Sequence, residues 1–353
     1  MKKKFKLLLC VCLILALTAT TFVGCGGGSD EGEGEAPAGE VIKLSWAGIG
    51  STEAIDTWIG EEIAAQVAEA TDGMVEITVY PASQLGDYVQ AYEEIMQGTI
   101  DMGLFTMQGS YDIFAEALYI PFLVKDTEHF KEVYAQDGYL NEQYAAFQAE
   151  YGIHVFGYWP SGFVGLGFAK MDDNTKANLF NFDVHKETLV RAPALETMAV
   201  VIQDGMNYNT TTINYADLYT ALQTGVADGW YGGGPYLNLT SFVEVDNYFV
   251  DYKILPDVYG CMMNMDKWNS IPEEYQAVMN EIIIDVLNQG CDKLAQQEED
   301  AIQGLRDAGV EVFIPTDEEK AAMTAYFKEH IWPILGEKYY GVEYMEALEQ
   351  YVK

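Results

Sequence analysis

Arginine is nearly missing from this chain: Arg191 and Arg306 are its two copies in 353 residues, against 55 acidic residues and a net charge of −36. Lysine and arginine together number 19. A surface of that sign repels nucleic acid and anionic lipid, so neither is an expected partner. Cysteine is also scarce, at five copies. Cys10 and Cys12 fall in the N-terminal leader and Cys25 at its end, which leaves Cys261 and Cys291 in the body. They read as buried free thiols, because a domain this large needs no disulfide to hold it; a disulfide between them in an oxidising compartment is the alternative. The histidines His129, His154, His185 and His330 are scattered, with no partner at metal-ligand spacing. Neither a nucleophile elbow nor a phosphate-binding loop is present. No catalytic residue, metal or cofactor is therefore expected. After the leader, no run of 18 apolar residues occurs, so no further membrane span is expected.

What is present begins with an address. Lys2, Lys3, Lys4 and Lys6 precede an apolar core, Leu7 to Ala19, too short for a stable span. The segment ends Phe22-Val23-Gly24-Cys25, which resembles a bacterial lipobox with phenylalanine in the usual leucine place. Residues 1–24 read as a lipoprotein signal peptide and Cys25 as the lipidated residue. Residues 25–40 carry almost no apolar side chains and read as a flexible tether. The domain is thus expected outside the cytoplasm, anchored to the outer face of the cytoplasmic membrane. Loss of the leader removes four lysines and no acid, taking the charge from −36 to about −40. An anionic solute would then need local, specific positive groups.

Arg191 lies in Leu189-Val190-Arg191-Ala192-Pro193, behind a short apolar run. A planar guanidinium is the side chain best matched to a carboxylate, so Arg191 reads as the anchor of an organic-acid site. An ordinary surface ion pair is the plainer alternative.

Short β-rich runs alternate with helical patterns over the roughly 310 residues after the tether. Val41–Trp46, Met74–Tyr80, Ile100–Phe105, Ile153–Tyr158, Phe163–Phe168, Leu189–Ala192 and Val226–Tyr231 read as strands. Thr52–Ala70 carries the helical stripe Ile55, Ile59, Ile63 and Val67. Gly86–Gln97 reads as a helix with Gly98 as its C-cap. Pro193–Asp204, Tyr215–Thr224 and Pro235–Val243 complete the shorter helices. The rhythm predicts an α/β fold with mostly parallel sheets covered on both faces. From Pro272 to about Ala308 no proline intervenes. One helix there would span roughly 50 Å and reach from one lobe to another; two helices broken near Gly290 or Gly304 are the alternative.

Binding-type features cluster late in the chain. Gly232-Gly233-Gly234-Pro235 follows a strand and opens a helix, which lets a ligand approach backbone N–H groups. Thr210-Thr211-Thr212 precedes another helix and offers hydroxyls or a cap. Phe105, Trp159, Trp230 and Tyr231 lie at strand ends, where α/β proteins place ligands. The candidate ligand-binding set is Arg191, Trp159, Trp230, Tyr231, Gly232, Thr211 and Phe105.

Several motifs then carry a resemblance. Tyr80-Pro81-Ala82-Ser83-Gln84-Leu85-Gly86 resembles the Y-P-x-x-Q-L-G segment of solute receptors from tripartite ATP-independent periplasmic (TRAP) transporters, the DctP-like family. Glu94-x-x-Gln97-Gly98-x-Ile100-Asp101-Met102, Val190-Arg191-Ala192-Pro193, Tyr219 to Gly229 and Asn264-x-Asp266-Lys267-Trp268-x-x-Ile271-Pro272 follow in the family's order. The resemblance covers residues 41–345. It implies a two-lobed, hinged periplasmic-binding-protein-like α/β fold with a long lobe-spanning C-terminal helix. It implies a monomeric receptor that captures a small-molecule carboxylate and delivers it to TRAP permease membrane subunits. The lobes would be residues 41–162 plus about 250–285, and 163–249 plus about 286–353. In the family's R-V-P segment the arginine pairs with the ligand carboxylate, and Arg191 occupies that place. Many members carry a second arginine after a Gly-Phe pair; here Val164 follows Gly162-Phe163. That departure favours a monocarboxylate over a C4-dicarboxylate. A receptor lipoprotein for an ATP-driven importer, or a sensory receptor, is the alternative.

Overall fold

A computed structural model describes residues 40–107, 111–193 and 195–352. The leader, Cys25 and the tether up to Gly39 lie outside the described residues. The strands are β1 (Ile42–Gly48), β2 (Val75–Tyr80), β3 (Met102–Thr106), β4 (Ile153–Phe163), β5 (Gly165–Phe168), β6 (Lys186–Ala192), β7 (Tyr208–Thr212), β8 (Gly229–Gly233), β9 (Tyr248–Val250), β10 (Pro256–Asn264) and β11 (Glu311–Phe313). They form two sheets, ordered β2-β1-β3-β10-β4 and β11-β9-β5-β8-β6-β7.

Both sheets are mixed: parallel pairings, β11 with β9 included, outnumber antiparallel ones by five to four. In the first sheet β1 pairs β2 and β3 in parallel, but β10 runs antiparallel to both β3 and β4. In the second, β6 pairs β7 and β8 in parallel, whereas β5 runs antiparallel to β8 and β9. The reason is connectivity. The chain leaves the first sheet by β4, enters the second at β5, and returns from β9 to β10 in the opposite direction. The two crossings touch: Val164 N donates to Leu255 O at 2.9 Å, and Ile254 N donates to Val164 O at 3.0 Å.

The helix Ile55–Ala70 turns its stripe inward, with Ile59, Ile63 and Val67 buried. Tyr88–Gln97 ends on Gly98, whose φ of 76° is the left-handed conformation glycine accepts. The helix Tyr215–Thr224 stands at the predicted bounds. Thr210 to Thr212 do not cap it: they belong to β7, and the N-cap is Asn214.

The long helix is unbroken from Glu273 to Asp307. Its two glycines mark closest approach rather than a break. A Cβ on Gly290 would lie 2.6 Å from Ile59 Cδ1 and 2.9 Å from Trp159 Nε1, on the first-sheet side. One on Gly304 would lie 2.6 Å from Leu239 Cδ2, on the second-sheet side. The helix therefore packs against elements of both sheets. The C-terminal helices also reach back, with Trp332 Nε1 donating to Pro121 O and Tyr344 OH to Ala117 O, each at 2.9 Å. Cys261 and Cys291 are buried and free. Burial pushes the Cys291 thiol up to about 12, so it stays protonated.

Candidate functional site

Arg191 is the penultimate residue of β6, flanked in register by Thr211 of β7 and Trp230 of β8. It is only 5% exposed. Nε donates to Ile213 O at 2.8 Å and Nη1 to Tyr231 O at 3.1 Å. These bonds fix the plane of the guanidinium and leave donors over. Among the described residues no carboxylate lies within ion-pair distance of it. Burial lowers its pKa to about 10, which leaves it charged at neutral pH. A buried cation without a protein anion is costly unless something else supplies the charge.

Two half-open tyrosines face it electrostatically. Tyr88 comes from the first-sheet side, is 37% exposed, and interacts with Arg191 and Asp257. Tyr215 comes from the second-sheet side, is 48% exposed, and interacts with the same two residues. The local sequence explains how Tyr88 gets there. Ala82 and Ser83 adopt positive φ, and their N–H groups donate to Gly50 O and Gly48 O. Asp87 then caps the helix by accepting from Val89 N at 2.9 Å and Gln90 N at 3.0 Å. Tyr88 is the first residue of that helix, so the Tyr80–Gly86 motif is the bracket that aims it.

An acidic group lies within electrostatic reach of the same two tyrosines. Asp257 of β10 accepts from Ser161 Oγ of β4 at 2.6 Å. A register shift in the β4–β10 ladder lies between Pro256 and Val258, on either side of it. Burial raises its carboxyl to about 6. Tyr259, two residues on in β10, packs edge-on against Trp159 at 5.8 Å.

The sequence-predicted set divides here. Arg191, Gly232, Thr211 and the Tyr231 carbonyl come together. Gly232 has φ of +136°, and a Cβ on it would lie 3.4 Å from Arg191 Nη1. The four aromatic side chains of the set are buried and pack against other side chains. Trp230 is 1% exposed; its indole donates to Asp246 at 3.1 Å and its ring lies 4.3 Å from Phe242. The Tyr231 hydroxyl contacts Met198 Sδ at 3.3 Å inside the core. Phe105 is fully buried in the main core. Trp159 sits buried under the long helix at Gly290 and beside Tyr259. Trp230 and Tyr231 are neighbours in β8 and so face opposite sides of its sheet, yet both rings are buried.

Tyr88, Tyr215, Asp257 and Ser161 were not singled out from sequence. Tyr88 had one available signal, a large aromatic directly after the Tyr80–Gly86 motif; Asp257 had none among so many acids. Cavities of about 610 and 530 Å³ lie elsewhere, the first along Gln203 and Asn207–Thr210, the second between β4 and the long helix at Cys291. Among the described residues, no group of three or more His, Cys, Asp or Glu is placed to hold a metal. No helix there is long and apolar enough to cross a membrane.

A two-sheet α/β scaffold with crossing strands and a buried, unpaired guanidinium on β6 has the features of a ligand-binding protein. The chain belongs to the bacterial extracellular solute-binding protein family 7, whose model matches residues 52–334. A solute-binding protein of Chromohalobacter salexigens is 27% identical over 288 residues, covering 75% of this chain and 81% of that one. A monocarboxylate 2-oxoacid-binding periplasmic protein of Nostoc is 24% identical, covering 78% and 79%. In structure, the chain is similar to a TRAP periplasmic solute-binding protein of Desulfovibrio salexigens with bound orotic acid. That likeness has a TM-score of 0.75 and 23% identity, and covers 88% of this chain and 98% of that one.

Proposed function

We propose that this protein is an extracytoplasmic receptor that captures an organic acid between its two sheets and delivers it to a TRAP-type membrane permease. The observation that carries this reading is Arg191: buried, charged, oriented by two backbone carbonyls, and without a protein anion. A solute carboxylate is the missing partner. The 2-oxoacid-binding relative and the orotate-bound structural neighbour support an acid as the ligand class. Val164, between the crossing strands, is 2% exposed and leaves Arg191 without a second arginine beside it, which favours a single carboxylate. The protein acts as a receptor rather than an enzyme.

The lobes follow the sheets: residues 41–162 plus about 250–285, and 163–249 plus about 286–353. The C-terminal helices additionally strap the segment around Pro121. Closure of the lobes would bring Tyr88 and Asp257 toward Arg191 and exclude water, strengthening the ion pair. Cys25 carries the lipid anchor, and the receptor works as a monomer.

Calorimetry with a panel of mono- and dicarboxylates tests the reading. Binding of at least one acid with Arg191, and its loss in Arg191→Ala, is expected. Unchanged affinity of Arg191→Ala for the bound acid would overturn the anchor role.

A further inference from the structure

We infer that Asp257, held by Ser161, is a second recognition point of the cleft, and that the solute carries a hydrogen-bond donor, a hydroxyl or ammonium, besides its carboxylate. This rests on the reading that Arg191 holds the carboxylate.

Asp257 is recessed in the site, with part of its surface still open. Its partner is the Ser161 hydroxyl, at 2.6 Å. Among the described residues no lysine, arginine or histidine lies within ion-pair distance of it. An ionised carboxylate has about four lone-pair positions, so one donor leaves most of its capacity unmet. Five phenols interact with it electrostatically: Tyr88, Tyr119, Tyr215, Tyr231 and Tyr259. Of these, Tyr119 donates to Val258 O at 3.1 Å and Tyr231 contacts Met198, so neither hydroxyl is committed to Asp257. The Ser161 hydroxyl, donating to Asp257, fixes the carboxylate's orientation. With a carboxyl pushed up only to about 6, the group is largely ionised at neutral pH.

Tyr88 and Tyr215 interact with both Arg191 and Asp257. Both charges therefore lie within electrostatic reach of the same two tyrosines, and they do not pair with each other. A solute with a carboxylate at one end and a donor at the other completes both. A donor-free acid leaves Asp257 unsatisfied, and a second carboxylate placed there is repelled. Selectivity against an analogue lacking the donor is the larger effect in such sites, because the protein's polar group is then stranded.

The test is calorimetry on the purified protein with matched acids: lactate against pyruvate, phenyllactate and phenylalanine against phenylpyruvate, and gluconate against hexanoate. The hydroxy and amino acids of the second set separate the two donor types. In at least one set the donor-bearing acid is expected to bind about tenfold tighter or more, and Asp257→Ala, which removes the acceptor, to abolish that margin. Arg191→Ala is expected to weaken both members. The inference is overturned if no donor-bearing acid binds, if the donor-free acids bind as well, or if Asp257→Ala keeps the margin. Loss of the margin in Asp257→Ala with Arg191→Ala unaffected would instead sink the carboxylate-anchor reading and leave the donor site standing. Should Asp257→Ala fail to fold, Ser161→Ala answers the same question: the margin narrows, or the inference falls.

Discussion

At the scale of single residues, geometry decides how strict the site is. Arg191 uses Nε and Nη1 on the carbonyls of Ile213 and Tyr231, which leaves its remaining N–H groups for a ligand. Lysine has one nitrogen and no plane, so it cannot serve both carbonyls and a carboxylate at once. Arg191→Lys is therefore expected to lose about 2 kcal/mol of binding or more, roughly 30-fold, with Arg191→Ala no better. Titration calorimetry reads this directly, and a lysine variant within a few-fold of the parent contradicts it. Gly232→Ala carries two burdens, a positive φ and a methyl 3.4 Å from Nη1. Lower affinity is expected there, along with a lower melting temperature. Arg191 was legible in the sequence because arginine is so rare. Asp257 was not, since one acid among 55 has no compositional mark. Trp230 shows that position along a strand says nothing about which face the ring takes; here it took the core.

At the scale of elements, the long helix shows what a helical glycine means. Sequence left open whether Gly290 or Gly304 broke it; packing explains why neither does. Replacing either with alanine gains up to about 1 kcal/mol of helix propensity. Against that stands overpacking, at about 1–3 kcal/mol where neighbours cannot yield. Gly290 faces buried Ile59 and Trp159, two side chains with nowhere to go. Gly304 meets the tip of Leu239, which is only partly buried. Gly290→Ala is thus expected to melt a few degrees lower and Gly304→Ala near the parent. Thermal unfolding of the two variants side by side checks the contrast, and equal effects would show that propensity, not packing, governs both. Strand and helix positions with clear periodicity were legible, such as Ile59, Ile63 and Val67. The strand β10 was not, because Pro256 and Asp257 interrupt its pattern. With β10 unseen, the antiparallel crossings were unseen as well.

At the scale of the whole molecule, buried acids set the response to pH. The motif order made the two-lobed scaffold legible, but not which of its acids lie inside. Burial raises Asp246 and Glu298 to about 7 each, and Asp257 to about 6. Asp246 accepts from Trp230 yet leaves its other oxygen without a protein partner. Glu298, on the long helix, accepts from Phe163 N at 3.1 Å beside the crossing strands. Between about pH 4 and 7 these groups hold protons in the folded state that the unfolded chain has released. Stability must therefore fall as pH rises through that window and level off above it. Asp172 works oppositely: burial raises it, but the hydroxyls of Thr175 and Thr188 outweigh that and bring it to about 2. Its contribution is present above pH 4 and is lost as pH falls toward 2. The net charge of −36 adds self-repulsion that mild acid relieves. The ligand-free protein is expected to melt at least roughly 3 °C higher at pH 5 than at pH 8. Asp246→Asn keeps an acceptor for the Trp230 indole and removes the titrating group, so the gap between the two pH values should narrow in that variant. A melting temperature that rises from pH 5 to pH 8 would show that these carboxyls are not held protonated in the fold.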